Sequence, residues 1–223
     1  MLLDRYRSIV FDCDGVLLNS NFIKTDCFRK ALQPYGKESI DRLIDYHQLN
    51  GGVSRYKKFD YFLSVIAPKY SSLKNGPNLE ELVDIYSKEC KKYLFKAEVA
   101  SKLGLLREFT KDKSWFIVSG GAEEELREIF VANKLFKLFD GGIYGSPDTK
   151  NKILTREISK GTLNLPALFL GDSRLDHQVA LENGLDFIFI SNWTDFKDYK
   201  SYCINNSIPI IGQVSELLNS LPL

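Results

Sequence analysis

Two hydrophobic patterns alternate along this chain. The first is the short, nearly unbroken apolar run: Ser-Ile-Val-Phe at 8–11, Trp-Phe-Ile-Val at 115–118, Ala-Leu-Phe-Leu at 167–170 and Phe-Ile-Phe-Ile at 187–190. A weaker run lies at 142–144 and a last one at 208–211, before a closing helical turn at 215–218. Runs of this length that do not alternate with polar residues predict parallel strands covered on both faces. The second pattern has helical spacing and fills the stretch between the first two runs. It divides into pieces at 21–34, 37–50, 54–70 and 78–95, separated by Gly51-Gly52 and Asn75-Gly76-Pro77. In the last piece Leu79, Leu82, Val83, Tyr86, Cys90, Tyr93 and Leu94 recur at three- and four-residue steps, and Phe59, Phe62, Leu63 and Ile66 do so in the third.

After residue 98 strand and helix patterns alternate. A helix is predicted over 123–130, with acidic residues in its first turn where they favour the helix dipole, and Lys150 opens another. The expected architecture is therefore an α/β parallel sheet with helices on both faces, carrying an inserted helical unit. The sheet-forming core takes residues 1–18 and 98–223, and the helical insertion takes 19–97.

Composition narrows the function classes. A chain of 223 residues with 44% hydrophobic content is large enough for a substantial core. Thirty basic and 29 acidic residues leave a formal charge of +1, which provides no footprint for nucleic acid or an anionic membrane. The four cysteines form no Cys-x-x-Cys pair, residues 1–7 show no apolar leader, and no run reaches the roughly 18 apolar residues of a membrane span. These features predict a soluble cytoplasmic protein.

The candidate chemistry lies where strands end, which is where open parallel sheets bind ligands. The first apolar run leads into Asp12-Cys13-Asp14-Gly15, the second into Ser119-Gly120-Gly121, and the 167–170 run into Gly171-Asp172-Ser173-Arg174-Leu175-Asp176. Paired carboxylates at a sheet edge are costly unless a cation or proton compensates them. A few hard oxygen ligands, completed by water, suit Mg²⁺. Asp12 is placed to attack phosphorus, and Asp14 to protonate the leaving group and then activate water. Ser119, Gly120 with its neighbouring N–H groups, and Lys150 are placed to hold phosphoryl charge. Ser119 also reads as a helix N-cap.

Four segments, Phe11 to Leu17, Ile117 to Gly120, Gly145 to Lys150 and Gly171 to Asp176, together resemble in order the signatures of haloacid dehalogenase-like phosphatases. The resemblance implies a Rossmann-like core with a C1-type cap between the first two motifs. It implies Asp12 as nucleophile, Asp14 as acid/base, Ser119 and Lys150 as the phosphate clamp, and a Mg²⁺ held by Asp12, the Asp14 carbonyl and Asp172. Asp176 is then a supporting carboxylate. Asn19 departs from the Asp that relatives often carry before the serine. Lys152 competes with Lys150, but the Pro-x-x-Lys spacing favours Lys150.

The reading is a Mg²⁺-dependent phosphomonoesterase acting on a small phosphorylated metabolite, such as a sugar phosphate. A sugar-phosphate mutase and a non-catalytic phosphate-binding module are the alternatives; the second Asp argues against dehalogenase chemistry. Gly52, Arg55 and Lys58 open the third helical piece, where a basic helix start after a glycine turn either contacts a substrate anion or faces solvent. His47 and His177 read as structural, Trp115 as core and Trp193 as a loop or interface aromatic.

Overall fold

The computed structural model describes residues 3–220. Six parallel strands form one sheet: β1 (Ser8–Phe11), β2 (Ser114–Ala122), β3 (Gly142–Ser146), β4 (Ala167–Gly171), β5 (Asp186–Ile190) and β6 (Ile210–Ile211), in the order β3-β2-β1-β4-β5-β6. Between β1 and β2 the chain forms α1 (Asn21–Ala31), α2 (Lys37–Leu49), α3 (Arg55–Tyr61), α4 (Ala67–Tyr70) and α5 (Leu79–Leu94), followed by α6 (Leu103–Phe109). The later crossovers carry α7 (Glu123–Ala132), α8 (Lys150–Ser159), α9 (Arg174–Glu182) and α10 (Tyr199–Asn205), and a 3₁₀ segment over Val214–Ser220 closes the described chain.

The unbroken apolar strands follow from burial on both faces. Ile9, Phe11, Trp115, Ile117, Leu168 and Leu170 belong to one core, which continues into the helical insertion through Phe28, Phe59, Phe62 and Tyr86. Their strand neighbours Val10, Phe116, Val118 and Phe169 belong to a second core on the opposite face. Alternate residues thus enter different interiors, and neither face tolerates a polar residue.

The third helical piece is not one continuous α-helix. It turns through a wider π-type segment at Phe62–Ile66 before α4. Pro68 explains this, because it has no N–H to offer the carbonyl of Ser64 and its ring crowds that carbonyl. The short helix α6, which buries only Leu103 and Leu106, has too little periodic pattern to stand out in the sequence.

Leu18 and Val99 pair as an antiparallel bridge, and the Asn19 N–H donates to the Glu98 carbonyl at 2.9 Å. The two chain segments that enter and leave the insertion are thereby tied together. Asn19, the position that departs from the relatives' acid, donates its side-chain amide to Glu98.

Candidate active site

Strand order reverses around β1, since β2 and β3 lie on one side and β4 to β6 on the other. Phe11 is in register with both Ile117 and Leu170, and the Asp12 N–H donates to the Leu170 carbonyl at 2.9 Å. This brings Asp12, one residue past β1, beside Asp172, one residue past β4. Carboxylate oxygens of Asp12, Asp172 and Asp176 all lie within 4.8 Å of one another, and all three residues are buried.

Their protein counter-charge is Lys150, the first residue of α8. Its ammonium is 2.9 Å from Asp12 Oδ1 and 2.5 Å from Asp176 Oδ1. Lys152, in contrast, is exposed and pairs with Asp148. Asp176 is fully committed, because Oδ2 also accepts from the Ser173 N–H at 3.1 Å and hydroxyl at 2.6 Å in the capping box of α9. Asp172 Oδ2 accepts from Asn21 Nδ2 at 2.9 Å.

One ammonium does not balance three carboxylates. Burial pushes the Asp12 carboxyl up to about 7; Lys150 opposes this, while Asp176 and Asp14 add to it. Burial, then Asp12 and Asp176, raise Asp172 well above the ordinary carboxylate range. Asp12 Oδ1 lies within ion-pair distance of Lys150 but is buried without a hydrogen-bond partner among the described residues. An all-oxygen donor set of three buried carboxylates, under-compensated by one ammonium and costly to ionise without further positive charge, fits a hard divalent cation. Gly15 keeps space there: at φ +78, it places a hypothetical Cβ 2.1 Å from Asp172 Oδ2.

Asp14 lines the same cavity but its carboxylate is engaged by the helical insertion. Its Oδ1 accepts from the Ser20 hydroxyl at 2.6 Å and its Oδ2 from the Lys24 ammonium at 2.5 Å. Burial would raise its pKa, but Lys24 and Ser20 outweigh burial and hold it below the ordinary carboxylate value. Asp14 is therefore an ionised acceptor in this form.

Ser119 is not a helix N-cap. Strand β2 continues to Ala122, which precedes α7, and its pairing with β3 shifts between Val118 and Ala122. The buried Ser119 hydroxyl accepts from the Gly121 N–H at 3.0 Å, while Gly120 and Gly121 line the cavity. A bulge of this kind re-aims the backbone at a strand end.

The helical insertion closes over the site. A Cβ on Gly120 would come within 2.2 Å of the Gly52 carbonyl oxygen, and one on Gly52 (φ +79) within 3.4 Å of Lys150 Nζ. Gly120→Ala is expected to displace this loop, lowering turnover at least about tenfold at a stability cost of about 1–3 kcal/mol. Steady-state kinetics alongside thermal melts check it.

Arg55 and Lys58 are not on a solvated face: only 5% and 3% of each is exposed. Arg55 donates to Glu125 at 2.7 Å and Ser87 at 3.0 Å, linking α3 to α7 beside the cavity. Lys58 donates to His47 Nδ1 at 2.7 Å. Burial drives the Lys58 ammonium down to about 7, aided by Lys24 and Lys150 and opposed by Asp14 and Asp195.

The folded state thus disfavours the Lys58 proton. That cost is full below about pH 7 and vanishes above the unfolded lysine value of about 10.4. Lys58→Met is expected to melt above wild type by a margin that narrows as pH rises from about 6 to about 10. A constant margin across melts at several pH values would contradict this.

His47, Lys24, Ser20, Asn21, Glu125 and Asp195 were not singled out for the site by the sequence reading, which took His47 as structural. All but Ser20 and Glu125 line the same cavity. His177 is 2.8 Å from the Tyr202 hydroxyl, and Trp115 is buried beside Phe11. The Trp193 carbonyl accepts from Asn21 at 2.8 Å. All four cysteines are buried and free.

A parallel sheet whose reversal point gathers acidic strand ends able to hold a metal ion, with a buried lysine and a closing helical insertion, is the architecture of a Rossmann-like hydrolase. The chain belongs to the haloacid dehalogenase-like hydrolase family, whose model matches residues 9–190. Among solved structures it is similar to a Clostridium acetobutylicum protein described as a predicted phosphatase (19% identity, 96% of this chain and 97% of that one, TM-score 0.73). A Lactobacillus plantarum protein described provisionally as a phosphoglycolate phosphatase aligns at 17% identity over 97% and 99%, with TM-score 0.69. A Thermotoga maritima protein described provisionally as a β-phosphoglucomutase aligns at 16% identity over 96% and 97%, with TM-score 0.65. No curated protein matches the chain.

Proposed function

We propose that this protein is a Mg²⁺-dependent phosphomonoesterase that hydrolyses a small phosphorylated metabolite through a phosphorylated Asp12. The observation that carries the reading is the buried Asp12 at the strand reversal, whose Oδ1 has only the Lys150 ammonium against it, in a cluster of three buried carboxylates that share that one counter-charge. Asp12, Asp172 and the Asp14 carbonyl would hold the cation, with Asp176 supporting through Lys150. When bound, the cation supplies charge neutralisation between the phosphoryl oxygens and the carboxylates.

Asp12 attacks phosphorus and takes the phosphoryl group as the ester oxygen leaves with a proton. Water then releases phosphate and restores Asp12. Lys150 and the bulged backbone around Ser119 and Gly120 stabilise equatorial charge. Asp14, ionised in the closed form, is set to take the water proton in the second half-reaction. Its first role, as acid, requires the Lys24 contact to loosen. Lys24 is carried by α1 of the insertion, so movement of the insertion as a cap alters the proton affinity of Asp14.

We assign the insertion as this cap, covering residues 19–97, and Gly52, Arg55 and Lys58 as its contributions to specificity. No helix among the described residues is long and apolar enough to cross a membrane, and we place the enzyme in the cytoplasm. Free phosphate released from a panel of sugar phosphates, phosphorylated acids and nucleotides, with Mg²⁺ and then with excess chelator, is the test. Release that stops on chelation is expected; release indifferent to chelator contradicts the reading. An isomerised sugar phosphate in place of free phosphate would identify a mutase.

A further inference from the structure

The buried cations around the cavity are not equally answered. Lys24 is held by Asp14, Arg55 by Glu125, and Lys150 by Asp12 and Asp176. Lys58, more buried than Lys24 or Arg55, has only the ring of His47 as a hydrogen-bond partner among the described residues. When Lys58 is protonated it offers no acceptor, so His47 Nδ1 then accepts from it and Nε2 carries the ring proton. That Nε2–H is 3.1 Å from Thr25 Oγ1, and the Thr25 hydroxyl donates to Asp195 Oδ2 at 3.4 Å. Burial and the ammoniums of Lys58 and Lys24 keep the imidazole neutral. A directed chain of donors therefore orients the Lys58 ammonium without neutralising it.

An unpaired ammonium in such a position is expensive, and an anion entering the cavity would relieve it. The phosphoryl group undergoing transfer is already provided for by Lys150 and the strand-end backbone. The cavity, of about 70 Å³, is bounded by Asp14, Lys58, Gly120 and Asp172 among others, so Lys58 faces the same small space as the acidic strand ends. The geometry points to a short phosphate monoester that carries a second oxyanion, a carboxylate or a second phosphate, received by Lys58 with His47 as its positioning residue. This rests on the phosphomonoesterase reading and specifies its substrate class.

The test compares 2-phosphoglycolate with 2-hydroxyethyl phosphate, which replaces the carboxylate by an alcohol, and adds ethylene glycol bisphosphate to separate the two oxyanion sources. In wild type one of the two substrates with an anionic second end is expected to exceed the alcohol in kcat/KM by about 10²-fold or more, and in Lys58→Met that ratio is expected to fall to within about threefold of unity. Whichever oxyanion shows the preference names the source. His47→Gln, which keeps an acceptor for the ammonium, is expected to retain most of the ratio, and His47→Leu to lose it. If Lys58→Met does not fold, Lys58→Gln takes its place.

A wild-type ratio near unity, or one that Lys58→Met leaves unchanged, overturns the inference while leaving phosphomonoesterase activity in place. If no ester is cleaved, the phosphomonoesterase reading fails separately. Thermal shifts with the same ligands then decide the Lys58 assignment: an oxyanion-selective shift lost in Lys58→Met upholds it, and equal shifts overturn it.

Discussion

Asp12→Asn is expected to lower phosphate release by at least about 10⁴-fold, because in the proposed mechanism the variant loses the group that receives the phosphoryl transfer and not merely a binding contact. The same change is expected to leave the fold intact and to raise the melting temperature of the metal-free protein. Asp12 is buried beside Asp172 and Asp176 with only Lys150 to offset all three, so an amide at this position removes unfavourable charge. Loss of function with gain of metal-free stability is the signature of a site assembled for chemistry. A variant that lost both would mark Asp12 as a structural residue, and kinetics together with calorimetry distinguish the two.

Lys150→Met is expected to produce the largest stability loss. Removing one partner of a buried ion pair costs about 3–5 kcal/mol, because the remaining charges stay buried and uncompensated. For a chain of this size that is a fall of about 6–20 °C in Tm. Turnover is expected to drop by about 10²–10³-fold, the usual effect of losing one preorganised donor to a developing oxyanion.

Two rescues separate charge imbalance from lost packing. Mg²⁺ at about a hundred times its Kd returns about 2.7 kcal/mol if the folded cluster binds it. Adding Asp176→Asn to Lys150→Met removes the excess carboxylate nearest the vacated ammonium and is expected to recover part of the loss. If neither restores Tm, the lysine acts by packing alone and the electrostatic account of the cluster is wrong.

Much of the framework was legible because it depends on local pattern. Four apolar runs without alternation declared buried parallel strands, and a parallel sheet brings the polar residues after three of them to one edge by register. Asp12 and Asp172 meet because Phe11 pairs with Leu170, and a separation of 160 positions along the chain does not alter that. Other contributions depend on how the helical insertion seats on the sheet. Lys24, Arg55 and Lys58 look like ordinary basic residues on helices, and only packing against Asp14, Glu125 and His47 buries them.

Ser119 illustrates a subtler limit. Ser-Gly-Gly before an acidic turn has the composition of a helix start, yet backbone pairing with β3 carries the strand past it and turns the serine inward. Long-range ladder bonds outweighed a local capping preference. The π-type turn before α4 is the reverse case: Pro68 was visible in the sequence, but the helical periodicity of the apolar residues around it concealed its effect.

The most direct test of the central claim is chemical trapping of the phosphorylated residue. The protein is quenched during turnover of a cleaved ester with Mg²⁺ present, reduced with borohydride, which converts an acyl phosphate to an alcohol, and digested for mass spectrometry. The account predicts reduction at residue 12, dependent on both ester and Mg²⁺. Phosphate released at full rate, with Asp12 unmodified at every quench time and another residue reduced, would contradict it.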